Sequence, residues 1–369
     1  MSWNLLGLGV VLLATLGVPV PVGPADRGVA SASSTNGLAV GLTFSPREAT
    51  YRELSWQHTF DAALDAAPAL VRVGVYWNEI EATRGLYDFA TLDWLLDQAT
   101  ARNQHILLTV GMKAPRWPEY YLPGWLRAAP RLPDGADVSR DSVLRAATRA
   151  VLTATVEHVR ERRVIAAWQV ENEPLDAAGP HEWRIGPEFL AEEVALVREL
   201  DNRHRPVVVN TFVETGPLGL LPTARATMLE RAQQALAVAD VLGLDVYPSR
   251  AVGLLWAETT VTWPDWIWSD TLVRLRRLAT AQSKDAWIVE AQAEPWLSAG
   301  QTPPAAWPGA GVRPSSVANT LDSFSAAGYQ IVLLWGTEYW EAQRSQNADA
   351  SWWSSITGLF ATSARPTLA

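Results

Sequence analysis

The chain has no cysteine, so neither a disulfide framework nor a thiolate metal ligand or nucleophile is open to it. Lysine is nearly as scarce: Lys113 and Lys284 are the only two, and basic charge is carried by arginine. With 30 basic against 39 acidic residues and a net charge of -9, the clustered basic surface that a phosphate backbone requires is lacking, which excludes nucleic acid as a partner. The five histidines show no metal-binding spacing. His58, His158 and His204 fall in helical stretches or helix ends, His105 begins a strand and His181 sits in a loop, so no catalytic metal and no cofactor are expected. What the chain does have is 48% apolar residues, enough to bury a large core, and 19 tryptophans.

The N-terminus differs from the rest. Leu5 to Val18 is almost uninterrupted apolar sequence, followed by Pro19, Pro21 and Pro24 and then the small-residue pattern Ala30-Ser-Ala32. Residues 1–32 are expected to be an export signal cleaved after Ala32, making the protein secreted or held at the cell surface. No Lys or Arg precedes Arg27, so a retained N-terminal anchor is the alternative, and the only membrane contact expected. No later stretch is long and apolar enough to span a bilayer.

From residue 33 onward short apolar runs alternate with longer segments of helical period, the pattern of βα units around a parallel sheet. Strands are expected near Leu38–Phe44, Ala69–Val75, His105–Gly111, Ile165–Val170, Pro206–Thr211, Val241–Val246, Trp287–Val289 and Gln330–Trp335, with helices such as Phe89–Ala101 and Val143–Arg162 between them. Eight units predict one α/β domain over residues 33–369, a (β/α)8 TIM barrel. The rival, a doubly wound open sheet, would carry a Gly-rich phosphate turn after its first strand, whereas Gly41-Leu-Thr-Phe44 runs into Ser45-Pro46.

Two glutamates end two of these apolar runs, Glu173 in Trp168-Gln-Val-Glu-Asn-Glu-Pro174 and Glu290 in Trp287-Ile-Val-Glu-Ala-Gln292. The C-terminal ends of barrel strands are where such folds keep reactive groups. Carboxylates at the mouths of the fourth and seventh strands can face each other across a sugar, as retaining cleavage of a glycosidic bond requires at roughly 5–5.5 Å. Long segments after strands, Met112–Arg140, Pro248–Asp270 and Ala293–Arg313, are read as loops and hold many tryptophans. Trp77, Trp117, Trp125, Trp183, Trp256, Trp263, Trp266, Trp268, Trp296, Trp307 and Trp340 all follow strands, offering flat platforms for sugar rings. The bland reading is that about half of them pin loops onto the barrel.

Four stretches resemble the retaining glycoside hydrolases of clan A, the group that includes the family 5 cellulases, family 39 xylosidases and family 42 galactosidases. Asn172-Glu-Pro174 is similar to the strand-4 signature and implies Glu173 as acid/base and Asn172 as the residue at the sugar 2-hydroxyl. Trp287-Ile-Val-Glu290 is similar to the nucleophile segment. Leu70-Val-Arg-Val-Gly-Val-Tyr-Trp77 with Glu79-Ile-Glu-Ala-Thr-Arg-Gly-Leu-Tyr-Asp-Phe89 looks like the second βα unit of family 42 and 39 enzymes and supplies Arg72. Val332-Leu-Leu-Trp335 looks like the strand-8 tryptophan that floors the reacting subsite. In that picture Arg72 orients the nucleophile and keeps it ionised, and Tyr247 in Leu244-Asp-Val-Tyr-Pro248 donates its hydroxyl to the same carboxylate.

The resemblance implies a retaining glycosidase acting on an oligosaccharide or polysaccharide through Glu173 and Glu290, with Arg72, Asn172, Tyr247, Trp335, Trp117 and Trp296 binding substrate. The alternatives are a catalytically silent carbohydrate-binding barrel and a transglycosylase using the same residues. Glu171 would share the strand face of Glu173 and rivals it as acid, Arg72 could be a barrel-interior ion pair, and Glu294 is either a loop carboxylate for a substrate hydroxyl or an ordinary solvated one. The run Glu-Ala-Gln-Ala-Glu-Pro-Trp296 and the strand-3 exit Lys113-Ala-Pro-Arg-Trp-Pro118 depart from the usual patterns, so the fold and mechanism transfer better than the substrate.

Overall fold

The computed structural model describes residues 37–126, 132–254, 257–295 and 312–366. The expected export segment, residues 1–32, lies outside them. Eight parallel strands close into a barrel: β1 (Ala39–Phe44), β2 (Val71–Gly74), β3 (Ile106–Val110), β4 (Ile165–Val170), β5 (Val207–Val213), β6 (Val241–Val246), β7 (Asp285–Gln292) and β8 (Ile331–Trp335). Each pairs with its sequence neighbours, and β8 closes on β1 with Ala39 opposite Ile331. The expected (β/α)8 architecture is what forms, and the expected strand limits hold within two residues except in β7, which extends past Val289 to Gln292.

Two-residue alternation sorts the side chains. Outward residues such as Val40, Leu42, Val73, Leu108, Val209 and Leu244 pack against the helices in one large core. Inward residues near the strand starts, Ala39, Leu107, Ala167, Val208, Val289 and Leu333, form a separate apolar cluster that fills the barrel. Above that layer the inward positions turn polar while staying buried: Arg72, Thr109, Gln169, Asn210 and Asp245. An apolar floor under a polar mouth is thus written into one period of the strands.

The expected loop Pro248–Asp270 is a structured element. Ser249–Leu254 and Ala257–Thr262 pair as an antiparallel hairpin, followed by a short 3-10 turn and a helix that starts at Ser269. The β-branched run Thr260-Val-Thr262 favours the extended chain. Gln292 at the end of β7 anchors the hairpin, accepting from the Ser249 amide at 2.8 Å and donating to its carbonyl at 2.9 Å. No helix among the described residues is long and apolar enough to cross a membrane.

Glu171 is a structural residue. Its carboxylate accepts from the amides of Met112 and Lys113 at the β3 exit, at 2.8 and 2.6 Å, and it meets the Glu193 carboxyl of helix Pro187–Leu200. Burial pushes Glu171 up to about 7 and Glu193 well above the ordinary carboxylate range, with the Glu171 charge adding to the latter. The expectation that Glu171 shares a face with Glu173 fails because Glu171 adopts a positive φ of 62°, which breaks the strand alternation and turns the side chain toward the helix layer.

Two outcomes are expected from this packing. An ideal Cβ on Gly41 would lie 2.1 Å from the Leu70 carbonyl oxygen and 2.6 Å from Leu333 Cδ2, so Gly41→Ala should cost about 1–3 kcal/mol or more in urea unfolding. The Glu171–Glu193 pair holds protons that the unfolded chain releases near pH ~4.3. The folded state therefore binds more protons than the unfolded one, and stability falls as pH rises from the ordinary carboxylate range through about 7, where Glu171 titrates. Melting temperatures across that window should decline, and Glu193→Gln, which cannot titrate, should flatten the decline.

Candidate active site

Glu290 reaches the barrel interior through an irregularity. Trp287 and Val289 both face inward, so simple alternation would turn Glu290 out. The pairing with β6 jumps from Leu244 opposite Ile288 to Asp245 opposite Glu290, leaving one extra residue in β7. That bulge brings Glu290 inward directly after Val289. Its two oxygens then accept from Arg72 Nη1 and from the Tyr247 hydroxyl, each at 2.5 Å. Arg72 is fully buried and its Nη2 donates to Asn172 Oδ1 at 2.6 Å, so one guanidinium ties the β4 motif to the β7 carboxylate. It forms the barrel-interior ion pair and reaches the Asn172 side chain at once. Asn210 Nδ2 also donates to Asn172 Oδ1, at 3.1 Å, which fixes the amide orientation and leaves the Asn172 Nδ2 without an acceptor among the described residues.

Glu173, at the same mouth, has a left-handed backbone with φ of 44°. The conformation is held from both sides: its N–H donates to Asn210 Oδ1 at 2.8 Å and its carbonyl accepts from the buried Lys113 Nζ at 2.7 Å. Burial pushes the Glu173 carboxyl well above the ordinary range, and the charges of Asp245, Glu119, Asp176 and Glu290 push it further. The two environments therefore diverge, one carboxyl favouring its protonated form and the other fully engaged as an acceptor, the division of labour an acid and a nucleophile need.

Trp335, at the end of β8, is largely buried, and the Tyr247 ring stands edge-on to it at 6.3 Å. The guanidinium of Arg116 lies 4.0 Å from its ring centroid. Arg116 also bridges Glu294 at 2.9 Å and Glu338 at 2.5 Å, and Glu294 receives Arg52 at 3.4 Å. Glu294 is thus a buried, ion-paired residue and the solvated reading is corrected. Arg116, Glu338, Asp245 and Asn210 escaped the sequence reading. Alternation along β5 and β6 could have found Asn210 and Asp245, whereas nothing local marks Arg116 or Glu338.

The tryptophans divide. Trp77, Trp268 and Trp340 are core residues, and the indole N–H of Trp77 reaches Glu81 while that of Trp340 reaches the Ala293 carbonyl. The platform reading is corrected for these three, because rings of that size are needed beneath the long loops. Trp125, Trp183 and Trp263 are half-buried against the core. Trp117, beside Arg116, is 63% exposed and Trp266 is 67% exposed. Trp256, Trp296 and Trp307 lie outside the described residues. Among the described residues no group of three His, Asp or Glu side chains is arranged to hold a metal ion.

Residues 47–182 match the model of glycoside hydrolase family 42, described as β-galactosidase. No curated protein matches the chain. Among solved structures, a polyextremophilic β-galactosidase from the Antarctic haloarchaeon Halorubrum lacusprofundi is similar at 16% identity and a TM-score of 0.57, over 88% of this chain and 58% of that one. Gan42B, a family 42 β-galactosidase from G. stearothermophilus, is similar at 15% identity and a TM-score of 0.61, over 88% and 56%. An exo-β-1,4-mannosidase from an Opitutaceae bacterium is similar at 16% identity and a TM-score of 0.53, over 81% and 51%. The chain therefore spans a little over half the length of these enzymes. Its (β/α)8 barrel fold is shared with these glycoside hydrolases, and over residues 47–182 its sequence is similar to family 42.

Proposed function

We propose that the protein is a retaining glycosidase that cleaves O-glycosidic bonds of a β-linked glycan, with Glu290 as nucleophile and Glu173 as acid/base. The observation that carries this reading is the unequal pair of carboxyls at one barrel mouth. Glu290 is aligned by Arg72 and Tyr247, while Glu173 is pushed toward its protonated form. In the first step Glu290 attacks the anomeric carbon as Glu173 gives its proton to the departing oxygen. In the second, Glu173 takes a proton from water, which displaces the enzyme carboxylate. The Asn172 amide is free to donate to the sugar 2-hydroxyl, and Trp335 offers its remaining surface to the ring. A binding protein has no use for an aligned carboxylate facing a protonated one, which weighs against the silent-barrel reading. With residues 1–32 read as an export segment, the enzyme would work outside the cytoplasm.

The first substrates to test are aryl β-galactosides, after the description of the matched family, and then other aryl β-glycosides. Glu173→Ala should lose about 10²–10⁴-fold in turnover of glycosides with poor leaving groups. It should keep far more with acidic phenol leaving groups, and azide should speed its second step. Glu290→Ala should abolish turnover of both. Equal losses with both substrate types, insensitive to azide, contradict the assignment.

A further inference from the structure

The acid has a neighbour that the reaction scheme does not use. Asp245 is completely buried, and its inward position on β6 follows from the strand period that also places Asn210 on β5. Its Oδ2 accepts from Asn210 Nδ2 at 2.6 Å. Its Oδ1 is sealed from solvent and is reached by no N–H or hydroxyl donor among the described residues. The Asp245 carboxyl is instead in hydrogen-bond contact with that of Glu173. Two ionised carboxylates repel at such contact, so the pair must hold a proton between them.

We propose that Asp245 is the positioning residue for the acid: its carboxylate accepts the hydrogen bond of the Glu173 carboxylic OH and so keeps the transferable proton on Glu173. The surroundings decide which partner carries it. Burial and the Glu290 charge push Asp245 up as they do Glu173, but Asp245 alone also faces the positive Arg72 and receives the Asn210 amide, both of which favour its charged form. Among the described residues Glu173 receives no such donor on its carboxyl. It faces Glu119 from the β3 exit, Asp176 from the β4 exit and Glu290 from β7, while the Lys113 ammonium is engaged with its carbonyl and with Glu119. When Glu173 passes its proton to the leaving oxygen, two carboxylates are left in contact. That repulsion makes Glu173 a stronger base for the water proton in the second step, and the proton's return restores the pair.

This inference rests on the retaining-glycosidase reading, and its test separates the two. In Asp245→Asn the new amide can donate to ionised Glu173, so the hydrogen bond reverses and the repulsion is lost. The basic limb of kcat/KM on a substrate with a poor leaving group should then move to lower pH by about one unit or more, the size expected for removing a contacting like charge. Asp245→Ala, which removes the charge without supplying a donor, should move it less in the same direction and serves if the Asn variant does not fold. A fall in activity with an unmoved limb in both variants means a merely structural role and overturns the proposal. Infrared titration of the protonated-carboxyl band, assigned with Glu173→Gln, reads the same pair without substrate and should bleach at lower pH in the Asn variant. Turnover by the wild type with an unmoved limb and an unmoved band overturns the pair and leaves the glycosidase reading standing. A band that moves in a protein with no turnover of any glycoside keeps the pair and overturns the glycosidase reading.

Discussion

A guanidinium sealed inside the barrel is the constraint from which the mouth is built. Arg72 has no access to solvent, and an uncompensated charge there would cost many kcal/mol. Its two terminal nitrogens are answered by Glu290 and Asn172, which come from β7 and the β4 exit on different sides of the barrel. Asn172 then draws in Asn210, which in turn holds Asp245, the Glu173 amide and the Gln169 side chain. Removing either partner of such a buried ion pair typically costs about 3–5 kcal/mol. The residues that shape the mouth are therefore also residues that stability requires.

The charge balance of the mouth divides it into two regions. On the side of β1, β7 and β8, excess carboxylates are met by cations: Arg116 answers Glu294 and Glu338, and Arg52 adds to Glu294. On the side of β4, β5 and β6, burial has gathered Glu173, Asp245, Glu119 and Asp176, and all four are pushed above their ordinary range by burial first of all. Lys113 and Arg231 offset only part of that charge. Where cations are too few, protons must supply the difference; Asp176 and Asp245 are buried, Glu119 is paired with Lys113, and Glu173 is the partly exposed carboxyl left without a cation of its own among the described residues.

The barrel was legible because its strands are buried on both faces and read as apolar runs with helical segments between them. Arg72, Glu173, Tyr247 and Glu290 stood out as polar residues at the ends of such runs. What escaped depends on contacts far apart in sequence. Arg116 meets Glu338 across 222 residues, and no local pattern announces it. The hairpin after β6 reads as a loop in the sequence because its second strand carries no run of apolar residues, only β-branched propensity. The tryptophan excess misled in part, since composition counts rings without telling which side of a loop they face.

The strand period itself fails at both principal carboxylates, for a physical reason. A residue that follows the inward alternation sits in a layer of the barrel and is covered by the layer above, as Gln169 and Asn210 are. To face a ligand, a carboxylate must leave that lattice at the strand end. In β7 one inserted residue does this for Glu290. At the end of β4 two left-handed residues, Glu171 and Glu173, do it at a cost of about 1–3 kcal/mol each. Such a conformation persists only if its surroundings over-determine it, and here Lys113 supplies much of that. Its amide and ammonium bond the Glu171 carboxylate and the Glu173 carbonyl respectively. One of the two lysines in the chain is fully buried because the strained turn that presents Glu173 depends on it.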